Sequence, residues 1–233
     1  MKILKNILAV ISFSLFTNTA SAYEVNLGYG ILQDGSNSSI IAITNDIRNH
    51  DVFVLHNIGN DQNARRILNA LNVYHNEYSM QTTRSFSNNE LKNEAIIWRN
   101  TSIDYDGKYT QYDSATSGFE SAPLSIAFRT RRSGGHPFVV STFDIHHTYH
   151  NKWQSSQYMN QYVNFVQSRF NSYRLQVMIG DGVFIPSGVN GVTKTESGFF
   201  VPNNMKSNVY NVSYNANGVR TMTIDFPDSR IIN

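Results

Sequence analysis

The chain has 233 residues, no cysteine, and 19 lysines and arginines against 17 aspartates and glutamates. Since the first 22 residues carry two of the basic side chains, Lys2 and Lys5, and no acid, the rest of the chain holds 17 charges of each sign. A neutral chain argues against a partner held by bulk charge, such as a histone-like nucleic-acid coat, because that affinity comes from many basic groups displacing phosphate counterions. The absence of cysteine excludes disulfides, so the fold depends on its core.

Residues 1–22 have the pattern of a secretory signal. A basic start is followed by an apolar run over residues 7–16 that is too short to span a bilayer, and then by the small residues 20–22 that a signal peptidase requires. We expect cleavage before Tyr23 and a secreted or periplasmic protein. No later apolar stretch approaches the ~20 residues of a membrane helix, so residues 23–233 are predicted to form a single domain without a membrane span.

Hydrophobic periodicity predicts alternating strands and helices. Ile40, Ile43 and Ile47 recur at helical spacing, and Asp61 is a candidate cap for a second helix that ends near Leu71. Residues 151–170 form a long amphipathic pattern, and the region of residues 105–112 is interpreted as a loop. The predicted strands are 25–31, 52–55, 73–80, 94–98, 124–129, 138–143, 175–179, 208–214 and 219–226.

Four of these strands carry motifs that resemble one superfamily. They are residues 51–59 (DVFVLHNIG), 94–99 (EAIIWR), 137–143 (PFVVSTF) and 175–183 (LQVMIGDGV). Their sequence and order resemble the endonuclease/exonuclease/phosphatase superfamily, and within it deoxyribonuclease I and the B subunit of cytolethal distending toxins. The resemblance implies an α/β fold, a four-layered α/β sandwich of the deoxyribonuclease I type in which helices flank two packed mixed β-sheets.

The resemblance also implies a magnesium-dependent phosphoesterase site, and most of its positions are changed here. The metal-binding glutamate of the family falls on Asn57, a strand asparagine near Gly30, a proton-transfer histidine on Phe143 and a second asparagine on Val183. The terminal Ser-Asp-His motif has no counterpart after residues 224–226 (IDF). Asp181 alone keeps its family identity, either as a catalytic base or as a turn-forming residue between two glycines. None of these residues is predicted to be a metal ligand, since Asn57 is neutral and a poor ligand for magnesium.

Three other features are candidates for a site. His146 or His147 could replace the missing histidine, and Asp144, His146 and His150 could bind zinc if the segment were helical; the alternative is a solvated loop. Arg99 is a candidate phosphate contact or an ion-pair partner for Asp104 or Asp106. Arg129, Arg131 and Arg132 form either a small phosphate-binding patch or a soluble turn.

Two main functions follow, and whether the chain is an enzyme stays open between them. The first is an exported, catalytically disabled relative of these nucleases that acts as a binding or effector (toxin-like) subunit with a protein partner, either another toxin-like subunit or a host protein. The second is a divergent nuclease or phosphatase that uses Mg²⁺, Asp181, and His146 or His147, with nucleic acid as a partner in that case. A carbohydrate- or protein-binding module that only shares the fold is a third alternative.

Overall fold

The computed structural model describes residues 23–83, 94–112, 119, 121–131, 135–145, 152–173, 175–181, 192–194, 199–202, 209–215 and 218–226. The helices are α1 (Asn37–Ile47), α2 (Asp61–Leu71) and α3 (Lys152–Arg169). The strands are β1 (Tyr23–Ile31), β2 (Val52–His56), β3 (Tyr78–Thr82), β4 (Ala95–Arg99), β5 (Ile103–Gln111), β6 (Leu124–Thr130), β7 (Pro137–Asp144), β8 (Leu175–Asp181), β9 (Val192–Lys194), β10 (Phe199–Pro202), β11 (Val209–Tyr214) and β12 (Arg220–Phe226).

The strands form two six-stranded mixed sheets. The first sheet has the order β11-β12-β1-β2-β4-β3, and the second has the order β5-β6-β7-β8-β10-β9. Each contains one parallel pair, β1 with β2 and β7 with β8, whose strands are joined through α1 and α3 respectively. A helical crossover is the usual way to join two parallel neighbours. The predicted α/β sandwich of two packed mixed sheets is confirmed.

Side-chain alternation along the strands builds three cores. On β1, Val25, Leu27 and Tyr29 face the second sheet and belong to the core between the sheets. The outer face of the first sheet packs against α1 and α2, and that of the second packs against α3. Successive residues of a strand point to opposite faces, so every second residue faces the other sheet. Where strands of both sheets end, these inward-facing residues lie at the rim of the central core.

The local helix signals agree with the structure, with one correction. The α2 cap is Asn60, whose side chain accepts a hydrogen bond from the backbone N–H of Asn63 at 2.9 Å, and Asp61 is the first helical residue instead of the cap. Asn and Asp are both strong caps, so the sequence alone does not separate the two neighbours. No helix in the described ranges has the length and apolar character needed to cross a membrane.

Two predictions for the first half of the chain were wrong. The strand predicted at residues 73–80 begins only at Tyr78, because Val73 and Tyr74 lie in an exposed turn. The loop predicted around residues 105–112 is strand β5, an edge strand whose pairing with β6 shifts register between Tyr105 and Tyr109. Gly107 has a positive φ of 73° within this irregularity. Because of this register shift, apolar residues do not alternate regularly along β5, and regular alternation is the pattern from which strands are predicted.

Candidate active site

Three strand ends bring ionisable side chains to one edge of the central core. His56 is the last residue of β2, and Glu94 directly precedes β4. Since β2 and β4 are antiparallel and Leu55 pairs with Ala95, the end of one strand lies beside the start of the other. Asp144 is the last residue of β7 in the opposite sheet. We call His56, Glu94 and Asp144 the strand-end cluster.

The imidazole of His56 lies close to both carboxyl groups. Its Nε2 is 3.6 Å from Oε1 of Glu94, and its Nδ1 is 4.0 Å from Oδ2 of Asp144. His56 and Glu94 are 2% and 1% exposed, whereas Asp144 at 9% is the most exposed of the three. The cluster therefore runs from a carboxyl group inside the core to one at the edge of the sandwich.

Burial dominates the electrostatics of Glu94. It raises the pKa of this carboxyl from 4.5 to about 7, because a desolvated carboxylate is disfavoured, and the hydroxyls of Thr142 and Ser121 oppose the rise by smaller amounts. Neither carboxyl oxygen has a hydrogen-bond partner of normal geometry within the described part of the chain. A carboxyl group with a pKa near neutrality is able to accept or release a proton at physiological pH.

The neighbouring strand β1 supplies an aromatic wall. The ring of Tyr29 packs edge-on against His56, with 5.0 Å between the ring centroids. Gly30, where the family asparagine was expected, lies on the other face, and a Cβ added there would be 2.9 Å from the Phe53 ring and 3.0 Å from Ile43. Packing against α1 and Phe53 thus requires a very small residue at this position, and the residue of β1 that reaches the cluster is Tyr29.

The expected family metal ligand does not join the cluster. Asn57 is exposed, follows the end of β2, and has a left-handed φ of 58°, a conformation that asparagine tolerates better than most residues. His56 occupies the inward position in its place. Mg²⁺ prefers oxygen ligands and retains several of its waters, whereas this site offers one imidazole and two carboxyl groups in a nearly dry setting. These residues do not fit magnesium.

The structure brings Asp181 to the same edge. It ends β8, and its backbone pairs with Asp144 in the parallel register of β7 and β8. The structure describes the backbone of Asp181 but not its side chain. It does not describe the residues His146, His147, His150 and Val183. Phe143 is fully buried beneath α3, against Phe200, and not in the core between the sheets.

Arg99 lies far from this edge. It ends β4, five residues beyond Glu94 and therefore about 17 Å away along an extended strand. Its Nε donates to the Tyr78 hydroxyl at 3.1 Å, and its Nη2 donates to the carbonyl of Arg48. The two aspartates considered as ion-pair partners for Arg99 instead pair with other arginines. Arg129 is 2.6 Å from Asp106 and Arg131 is 2.6 Å from Asp104, while Arg132 is not described.

Sequence reasoning missed His56 and Glu94. A signal for His56 was present, since His56 shares the period-2 face of Val52 and Val54, which points inward. Glu94 directly precedes an apolar strand. An acidic residue at that position is usually interpreted as a solvent-exposed residue at the start of the strand. Asp144 was considered only with His146 and His150, because its contacts with β2 and β4 are long-range and no local spacing indicates them.

Comparisons with known proteins identify the architecture. No family model matches the sequence, and no curated protein matches it. The human Nocturnin catalytic domain with bound sulfate superposes with a TM-score of 0.65 at 8% identity, over 89% of this chain and 97% of that one. An endonuclease/exonuclease/phosphatase family protein from Bacteroides thetaiotaomicron gives 0.60 at 11% identity, over 88% and 97%. A humanized TDP2 of D. rerio gives 0.57 at 11% identity, over 88% and 99%.

These similarities show that the chain has the fold of the deoxyribonuclease I-like, or endonuclease/exonuclease/phosphatase, proteins. At identities of 8 to 11% they speak to the fold alone, since one fold supports many functions. The nearer resemblance to the cytolethal distending toxin B subunit stays a prediction.

Proposed function

We propose that this protein is an exported binding or effector subunit that keeps a nuclease-type fold and does not hydrolyse phosphate esters with Mg²⁺. The observation that carries the proposal is the strand-end cluster, in which the His56 imidazole is 3.6 Å from Glu94 and 4.0 Å from Asp144. Each carboxyl group already has the imidazole as its neighbour, so the charges of the site are directed at one another and not at an incoming phosphate.

The burial of the cluster supports the same conclusion. A magnesium ion that activates water must keep an open, hydrated position and bind at least one carboxylate. Glu94 is 1% exposed and has a pKa raised to about 7, so a large share of the protein holds it neutral near physiological pH. A neutral carboxyl group is a poor ligand for Mg²⁺, which gives up its waters reluctantly, and the family ligand position holds the neutral, exposed Asn57.

A binding role agrees with the surface and the N-terminal pattern. The residues after the signal-like segment are balanced in charge, which favours a specific protein partner over a bulk polyanion. On the edge strand β5, Tyr105 and Tyr109 are 43% and 56% exposed. Tyrosine is enriched among the residues that dominate binding energy at protein interfaces. Export is inferred from residues 1–22, and a toxin-like subunit or host protein is the partner class that we infer.

One observation favours a second function, a divergent phosphoester hydrolase. Asp144 and Asp181 are register partners at the C-terminal ends of β7 and β8, and carboxylate oxygens are common Mg²⁺ ligands. In this alternative Asp181 acts with His146 or His147 and Mg²⁺ on a nucleic acid or phosphomonoester.

A hydrolysis assay separates the two functions. We expect plasmid nicking and phosphate release with Mg²⁺ or Mn²⁺ to be the same for the wild type, for Asp181→Ala and for a no-protein blank. Asp61→Asn on α2 is a matched control for removing a carboxylate elsewhere on the protein. Activity in the wild type and Asp61→Asn that Asp181→Ala abolishes would establish the hydrolase and overturn the binding proposal, because loss of a general base costs orders of magnitude in rate.

A further inference from the structure

We propose that the strand-end cluster is a Zn²⁺ site that ties the two sheets together. It goes beyond the proposed function, which concerns hydrolysis with Mg²⁺, because it names a different ion that the same cluster binds. Three observations carry it: the donor set, the burial of Glu94, and the position of the ligands on opposite sheets.

The donor set fits zinc better than magnesium. One atom each from His56, Glu94 and Asp144 can be chosen so that all three lie within 4.8 Å of one another. Zinc takes imidazole nitrogen and carboxylate oxygen at about 2.0–2.2 Å, which separates two tetrahedral ligands by about 3.4 Å. The 3.6 Å between His56 Nε2 and Glu94 Oε1 is already close to that separation. Since no two of the three donor atoms are more than 4.8 Å apart, each pair has to close by about 1.4 Å at most to complete a three-ligand set, with water as the fourth ligand.

The surroundings of Glu94 point independently to a missing ligand. Its side chain is 1% exposed, and within the described ranges neither carboxyl oxygen has a hydrogen-bond partner of normal geometry. Buried polar atoms are nearly always satisfied in folded proteins, and the nearby hydroxyls of Thr142 and Ser121 offset the burial of Glu94 only in part. A cation bound at Oε1 satisfies the group and favours its ionised form.

The arrangement of the ligands gives the ion a structural role. His56 and Glu94 belong to the first sheet, at the ends of β2 and β4, and Asp144 belongs to the second sheet at the end of β7. The chain has no cysteine, so no disulfide connects the sheets. A metal that binds the folded but not the unfolded chain adds its binding free energy to folding. Zinc at this edge would do what a disulfide does in many exported proteins.

Zinc titration of the untagged, chelator-stripped full chain tests the proposal. We expect isothermal titration calorimetry to show one Zn²⁺ per chain, and Tm to rise by about 5 °C at free Zn²⁺ about 100-fold above Kd. Mg²⁺ at the same concentration should leave Tm unchanged. Glu94→Gln, which keeps the shape of the side chain, should weaken zinc binding by about tenfold or more.

Controls separate this site from adventitious binding. His75→Ala removes an exposed histidine outside the cluster and should bind Zn²⁺ like the wild type. Asp144→Asn offers a second test if Glu94→Gln does not fold, since Asp144 is the more exposed ligand. The proposal is overturned if the wild type shows no saturable zinc binding, or if folded Glu94→Gln or Asp144→Asn binds zinc as tightly as the wild type.

Discussion

Gly180→Ala is expected to lower the free energy of unfolding by about 3 kcal/mol or more. Gly180 precedes Asp181 on β8 and pairs with Phe143 on β7. A Cβ at this position would lie 1.9 Å from the carbonyl oxygen of Phe143 and 2.8 Å from its ring. Because the nearest obstacle is backbone, only separation of β7 from β8 relieves the clash. Equilibrium urea unfolding of the wild type and the variant measures the loss.

Gly28→Ala is the matched comparison, because the new methyl group would collide with a side chain and not with the backbone. A Cβ at Gly28 would lie 2.3 Å from the Phe53 ring. We expect Gly28→Ala also to be destabilising, and adding Phe53→Leu to Gly28→Ala to recover part of the loss. For Gly180→Ala, shortening the Phe143 side chain should recover little. If Gly180→Ala unfolds at the same urea concentration as the wild type, β7 and β8 do not approach each other so closely at Gly180 and Phe143.

The metal-free protein is expected to lose stability as the pH rises from about 5 to about 8. Burial raises the pKa of Glu94 from 4.5 to about 7. The folded protein therefore keeps a proton that the unfolded chain releases near pH 4.5, and the stabilisation present below that pH is lost as the pH passes through about 7. A shift of this size corresponds to about 3 kcal/mol. Urea unfolding in the presence of a chelator, repeated across this pH range, measures the effect.

Glu94→Gln isolates this contribution from the groups that face it. Those groups are His56 at 3.6 Å, Asp144 with a carboxyl oxygen within 4.8 Å, and buried Tyr162, whose pKa is raised mainly by desolvation and slightly by Glu94. We expect the pH dependence to be much weaker in Glu94→Gln. Glu77→Gln removes an exposed glutamate and should retain the wild-type slope. Equal slopes in the wild type and Glu94→Gln would show that Glu94 does not hold its proton above the normal range.

Much of the fold was predictable because its strands and helices have local signals. Val52, Val54 and His56 share one face of β2, and Ile40, Ile43 and Ile47 repeat at helical spacing, so the hydrophobic pattern alone predicts the type of both elements. The edge strand β5 was missed because Gly107 and a register shift interrupt its alternation. The four motif strands also predicted the sandwich of two packed mixed sheets, since that arrangement follows from a known architecture and not from periodicity.

The site was much less predictable. Its three members are separated by 38 and 50 residues in the sequence, and they meet only because β2 and β4 are antiparallel and the sheets pack face to face. Motif alignment pointed to Asn57 and Phe143, whereas the strand faces place His56 and Asp144, the residue beside each of them, in the cluster. A one-residue difference along a strand reverses the face, so alignment at this similarity cannot choose between neighbours.

We infer that the strand-end cluster binds zinc and not the magnesium that the family resemblance implies. Anomalous diffraction at the zinc edge, from crystals grown with equimolar Zn²⁺ and excess Mg²⁺, tests it most directly. We predict one zinc peak within about 2.2 Å of atoms from His56, Glu94 and Asp144. A magnesium ion with octahedral waters between Asp144 and Asp181, with no zinc peak at His56, would contradict the claim.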